Sequence, residues 1–182
     1  MMTTPFKQSL VGATQRIDRL IAGFSAFVVL AATLVLLVCL AINVFVRYFN
    51  DAGGLSWVGE LSAFLFPWMI AGGIVLGVQR GAHIAVDVLT TLLPERLRLV
   101  WAIAINLLVV ATYAWLFHAV VGMMDIVAIE ISPMLNLSVS WAYAALAYAA
   151  LGTAACSLFI ALRVMVQGAA ALPQPEPEES GL

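Results

Sequence analysis

Apolar side chains fill four long stretches of the chain, at about residues 21–46, 57–78, 99–124 and 139–162, and polar residues gather between them. A helix needs about 20 mainly apolar residues to cross a hydrocarbon core about 30 Å thick, at about 1.5 Å per residue. All four stretches are long enough. None shows the alternation of a barrel strand. Within lipid only helices and closed barrels satisfy their own backbone groups. The pattern therefore predicts an all-α integral membrane protein with four transmembrane helices. The first and third stretches exceed the minimum length, so tilt or protrusion is expected.

The intervening segments differ in kind. Between the second and third runs, His83, Asp87, Thr90 and Thr91 recur at helical spacing, and Ile84, Ala85, Val88, Leu89 and Leu92 fill the opposite face. This predicts a short amphipathic interfacial helix at about 82–93, too short to span, which Pro94 ends. Residues 1–20 set Phe6, Leu10, Ile17 and Leu20 near one face and Lys7, Arg16 and Arg19 elsewhere. They read as a cytoplasmic amphipathic lead-in to a membrane domain at 21–163. Residues 164–182 form a cytoplasmic tail. Its end, PQPEPEESGL, is too rich in proline and glutamate to pack and is expected to be disordered. The first apolar run is too long for the core of a cleavable signal peptide, so none is expected.

Composition narrows the class. Of 182 residues 64% are hydrophobic and 10% charged, with mean hydropathy +1.06. A soluble domain is roughly 45–50% apolar and about 25% charged. This balance excludes a soluble enzyme and a disordered chain. Eight basic against ten acidic residues provide no basic stripe for nucleic acid. Basic residues set the orientation. Lys7, Arg16, Arg19, Arg80, Arg96, Arg98 and Arg163 fall on one side and Arg47 alone on the other. Both termini and the middle connection are then cytoplasmic, in a multi-pass membrane protein. Cys39 and Cys156 lie in apolar runs and form no metal-binding pair.

Few side chains offer chemistry. Arg47 closes the first span and Glu60 opens the second, with a short glycine-containing turn between them. They read as a charged pair at the outer boundary that contacts a partner subunit or a lipid headgroup, or as two independent interfacial charges that snorkel. His118 lies inside the third span. Haem would require a second histidine on a facing helix, and His83 is at the opposite side. A hydrogen bond from His118 to a neighbouring helix is expected, with Asn43 and Asn106 making similar contacts. Gly73 and Gly77, beside Gly72, form a small-residue pair that suits close helix packing. Pro67 should kink the second span. Tyr48, Trp57, Trp101 and Trp141 sit where an interfacial aromatic belt would place them. There is no nucleophile–base set, phosphate loop or metal cluster, so no enzyme activity, cofactor site or metal site is expected.

One ordered set of motifs stands out. NVFVRY (Asn43 to Tyr48) closes the first span, WVGEL (Trp57 to Leu61) opens the second, and LGVQRGAHIAVDVL (Leu76 to Leu89) precedes Leu93 and Pro94. This resembles the small membrane subunit of tripartite ATP-independent periplasmic (TRAP) transporters, a four-span family with a similar segment after its second helix. One position departs. The family often has two acids after the tryptophan, and Gly59 here replaces the first.

The resemblance implies a subunit that braces a large permease subunit, with a periplasmic substrate-binding protein that delivers an organic acid. Sodium coupling would belong to the partner, with no cofactor in this subunit. On this reading Arg47, Trp57, Glu60, Arg80, His83 and Asp87 face partner or lipid. A membrane anchor of a respiratory complex and a small proton-coupled multidrug exporter are the alternatives. The first would need paired histidines, and the second an acid in the first span.

Overall fold

A computed structural model describes residues 5–49, 55–79 and 94–168. Four helices account for nearly all of them: α1 (Pro5–Phe49), α2 (Ser56–Gln79), α3 (Glu95–Val127) and α4 (Ser140–Gln167). Each contains a window apolar enough to cross a membrane. The expected interfacial helix at 82–93, the far tail and residues 50–54 lie outside the described residues.

α1 is one helix of 45 residues, about 67 Å long at about 1.5 Å per residue. The lead-in and the first span are therefore continuous. Pro5 stands at its first position, where a missing N–H does no harm, and no other proline interrupts it. α2 continues through Pro67. The extended backbone of Pro94 precedes α3, and its carbonyl accepts the N–H groups of Leu97 and Arg98 at 2.9 and 3.0 Å. Gly168 ends α4 with φ 72°, a left-handed conformation that glycine tolerates best.

The helices form an open row in the order α1, α2, α4, α3. α4 packs along both α2 and α3, α2 along both α1 and α4, and α1 touches α4 only lightly. Burial follows position in the row. Half of α4's apolar window is buried, against 17% for α1 and 11% for α3 at the edges. A row with two apolar faces exposes many large side chains, as lipid or a membrane partner allows.

Small residues set the spacing at the inner seams. A Cβ at Gly72 would lie 2.7 Å from Val29 Cγ2 and 3.0 Å from the Ser25 carbonyl oxygen, so α1 and α2 meet there backbone to backbone. A Cβ at Gly152 of α4 would lie 2.8 Å from Val75 Cγ2 of α2. Ala71, Ala145 and Ala149 form one buried cluster against Trp68 and Tyr148, and Val75, Val78 and Cys156 form another. Gly73, the expected packing residue, is exposed, and a Cβ there meets nothing within 4 Å. Gly77 is half-buried. The close approach falls one residue earlier, which on a helix is a turn of about 100°.

Candidate functional site

Two polar clusters tie the row together, one at each end, with a third contact between them. At the end where α1 finishes and α2 begins, Asn43 Oδ1 of α1 accepts the N–H of Leu55, just before α2, at 2.6 Å. One turn into α2, Glu60 points toward the α3–α4 connection. A single carboxylate oxygen, Oε2, accepts a hydrogen bond from the hydroxyl of Ser132. It also accepts the N–H groups of Met134 and Leu135 at 3.0 and 3.1 Å. Hydrogen bonds to an ionised acceptor are roughly twice as strong as neutral ones.

The connection so held is a compact reversal. Ile131 and Ser138 form an antiparallel bridge. Ser132 N–H donates to Leu137 O at 2.9 Å and Asn136 N–H to Ser132 O at 3.0 Å. Asn136 adopts φ 53°, a conformation that asparagine tolerates better than most residues. Ile129, Ile131 and Met134 are exposed on this reversal, Ile129 at 83%. Trp57 and Trp141 are partly exposed at the same end.

Of the two readings of Arg47 and Glu60, an ion pair and two independent charges, the ion pair does not form. Arg47 is exposed on α1, and Asp18–Arg163 is the one ion pair among the described residues. Glu60 has instead taken three loop donors from the far side of the row. Arg80, His83 and Asp87 lie outside the described residues.

At the opposite end, which carries both the start of α1 and the end of α4, Arg163 Nη2 pairs with Asp18 Oδ2 at 2.6 Å. Gln79 Nε2, at the end of α2, donates to the Asp18 carbonyl at 3.0 Å and meets Cys156 Sγ at 3.4 Å. Three helices are thus joined beside a cavity of about 310 Å³ lined by Gln15, Asp18, Arg19, Ala22, Gln79 and Arg163. Farther in, the hydroxyls of Ser25 and Tyr148 are 2.6 Å apart. Ser25 is fully buried, and Phe24 and Tyr148 form a T-shaped pair at 5.5 Å between ring centroids. Tyr148 of α4 therefore bonds α1 while packing on Trp68 of α2.

Two polar expectations change. Asn106 Nδ2 donates to Ala102 O of its own helix at 2.9 Å, not to a neighbour. His118 is exposed on α3 and has no hydrogen-bond partner among the described residues. Both follow from α3 lying at the edge, with α4 as its one close neighbour. Sequence reasoning passed over Asp18 and the Ser25–Tyr148 bond. Asp18 was legible: it is the one acid of the amino-terminal segment, and an even number of spans brings it to the same end as Arg163. Among the described residues no three His, Cys, Asp or Glu side chains converge as a metal site would require.

Comparison with known proteins places this arrangement. The family model described as "Tripartite ATP-independent periplasmic transporters, DctQ component" matches residues 34–170. The chain is 35% identical over 161 residues to the uncharacterised protein y4mM of Sinorhizobium fredii, covering 88% of this chain and 30% of that one. It is 45% identical over 62 residues to the C4-dicarboxylate TRAP transporter small permease protein DctQ of Vibrio cholerae, covering 34% of this chain and 26% of that one. It is 30% identical over 103 residues to a putative TRAP transporter small permease protein of Haemophilus influenzae, covering 57% and 62%. The matches thus span less than two thirds of each of these relatives. No solved structure matches the chain.

Proposed function

The chain belongs to the DctQ family of TRAP transporter components, and from that premise we propose that it braces a large permease subunit during sodium-coupled uptake of an organic acid. That family is one of transport components, not of enzymes. The observation that carries the reading is the open row of helices. α1 and α3 leave their outward faces uncovered. The polar bonds between helices lie at the seams and ends, among the small side chains of the row. Among the described residues such a row has no continuous polar path through which a charged solute could pass. It has large lateral surfaces on which a second membrane protein can pack.

In this reading the large permease holds the substrate and sodium sites, and a periplasmic substrate-binding protein delivers the acid. The end bearing Asp18 and Arg163 faces the cytoplasm, because seven of the eight basic residues lie on that side. The Glu60-held reversal then faces the periplasm, where its exposed Ile129, Ile131 and Met134 meet the partner subunits. Arg47 and Trp57 contribute to the same rim, and Arg80, His83 and Asp87 serve the cytoplasmic one. Membrane lipid also covers part of the row. A groove of about 370 Å³, lined by apolar residues including Phe27, Val35, Leu61, Phe64 and Trp68, suits an acyl chain. In the Sinorhizobium relative the matching segment is joined to further protein, since 70% of that chain lies outside the match.

The test is purification of the tagged chain from its native membrane in mild detergent. A stoichiometric multi-span permease is expected, and vesicles containing both should take up organic acid only with sodium and the binding protein. A haem-containing complex, or a homodimer that exports cations, would overturn the reading.

A further inference from the structure

We propose that the cavity beside the Asp18–Arg163 pair binds the phosphodiester headgroup of an anionic phospholipid, with Arg19 and Arg163 as its cationic contacts. This needs only that the chain spans a membrane, and it does not rest on the bracing role. The cavity lies at headgroup depth. It is lined by Gln15, Asp18, Arg19 and Ala22 of α1, Gln79 of α2 and Arg163 of α4. Gln79 directly follows the apolar run of α2, Arg163 directly follows that of α4, and Asp18 and Arg19 come just before that of α1. Three helices thus bring polar residues to the level where a bilayer changes from acyl chains to headgroups. Basic pockets between transmembrane helices at that level bind anionic headgroups.

The charge of the lining calls for an anion. Two arginines against one aspartate leave an excess of one positive charge. Asp18 holds Arg163 in place through Nη2. A guanidinium has five N–H groups, so Arg163 is fixed with donors to spare. Arg19 is exposed, and no acid pairs with it among the described residues. Anionic oxygens between the two arginines would satisfy both with charge-assisted hydrogen bonds.

The remaining groups select the headgroup. Asp18 Oδ2 is occupied by Arg163, and Oδ1 is buried with no hydrogen-bond partner. No carboxylate oxygen is therefore left for the amine of phosphatidylethanolamine. Gln79 directs Nε2 inward, to the Asp18 carbonyl and to Cys156 Sγ, which leaves its Oε1 to accept a hydrogen bond. A glycerol headgroup has hydroxyls for that oxygen and carries no cation, so phosphatidylglycerol suits the lining and phosphatidylethanolamine does not. The volume of about 310 Å³ matches roughly ten water molecules at about 30 Å³ each, room for a phosphate and a glycerol together. A free phosphate ion shares the charge chemistry, but it has no acyl chains to hold it at this depth.

The full chain is purified in mild detergent and washed free of lipid. Phosphatidylglycerol, phosphatidylethanolamine, phosphatidylcholine and inorganic phosphate are then titrated separately, with binding read by native mass spectrometry and by protection against thermal unfolding. Phosphatidylglycerol should bind most tightly. Arg19→Gln should weaken it about five-fold, the loss of one basic contact at a membrane surface, and leave phosphatidylcholine unchanged. Gln15→Glu, which sets a carboxylate one turn from Arg19, should weaken it at least as much. Both positions are exposed, so the lipid-free unfolding midpoints should stay close to that of the unsubstituted chain. Equal affinity for phosphatidylglycerol and phosphatidylcholine, or phosphatidylglycerol binding indifferent to both variants, would overturn the site. Tighter binding of phosphatidylethanolamine would overturn the headgroup assignment. Equal protection by inorganic phosphate at the same concentration would assign the cavity to a soluble phosphate and overturn the lipid. Retention of phosphatidylglycerol by the chain alone, with none in its complex with a permease, would give the cavity to a permease carboxylate and overturn the proposal while sparing the bracing role.

Discussion

Gly72 and Gly73 are neighbours on one helix, yet the same substitution should have opposite effects at the two positions. At Gly72 a new Cβ meets Val29 Cγ2 at 2.7 Å and the Ser25 carbonyl oxygen at 3.0 Å. Ordinary van der Waals contact begins near 3.4 Å, so α1 must retreat by several tenths of an ångström or Val29 must turn. Turning is costly, because a valine in a helix has one strongly preferred rotamer, and it leaves the Ser25 backbone oxygen in place. Forcing an extra methyl into such a seam costs about 1–3 kcal/mol. At Gly73 the methyl meets nothing within 4 Å. Both variants gain about 1 kcal/mol of helix propensity, so that contribution cancels in the comparison.

The difference between Gly72→Ala and Gly73→Ala should therefore be the clash itself, about 1–3 kcal/mol. Thermal unfolding of the purified protein in mild detergent reads it as a gap of about 2–12 °C, at about 2–4 °C per kcal/mol for a chain of this size. Gly73→Ala is expected at or slightly above the unsubstituted midpoint. Equal midpoints for the two variants would refute the backbone contact between α1 and α2 on which the row depends.

Further outcomes are expected elsewhere. Asp18→Asn and Arg163→Gln should each lower the unfolding midpoint, near the lower end of the about 3–5 kcal/mol lost when one partner of a buried pair is removed, since the side chains are 14% and 20% exposed. The exchanged pair Asp18→Arg with Arg163→Asp should recover part of it, and no recovery would show that the two do not act together. Glu60→Ala should speed amide hydrogen exchange at Met134 and Leu135, with Glu60→Gln intermediate and Arg47→Gln without effect. Unchanged exchange would mean that the reversal holds its shape alone. Ser25→Ala and Tyr148→Phe should each cost about 0.6 kcal/mol and at most about 1.7. Combined, they should cost little more than either, as a double-mutant cycle on unfolding midpoints will show.

The four spans were legible because length and hydropathy alone decide what can cross a bilayer. Their arrangement in a row was not, because it depends on which faces meet, and apolar residues nearly surround each helix. α2 illustrates this. Its residues are so evenly apolar that Gly72 and Gly73 are equivalent in the sequence, and the 100° between them becomes decisive only when α1 is in place. The two readings of Glu60, as a partner of Arg47 or as an independent charge, both missed the loop donors that it binds. Proximity in sequence favoured Arg47, whereas the loop N–H groups it binds belong to residues more than 70 positions away. Backbone donors leave no trace in a list of side chains. His118 was expected to bond within the chain, and its edge position follows from packing that only the assembled helices reveal.

The row also sets the order in which the protein can be made. Its neighbours are not those of the chain: α2 lies against α4, although α3 leaves the ribosome between them. The hairpin of α1 and α2 can close through Gly72 as soon as both are inserted. α3 must then wait in the bilayer with no companion until α4 arrives to cover one side of it and to seat Gly152 on Val75. The last helix to be synthesised is the one that packs the others together, and a chain halted after α3 would leave the α1–α2 hairpin and α3 in the membrane without the helix that lies between them.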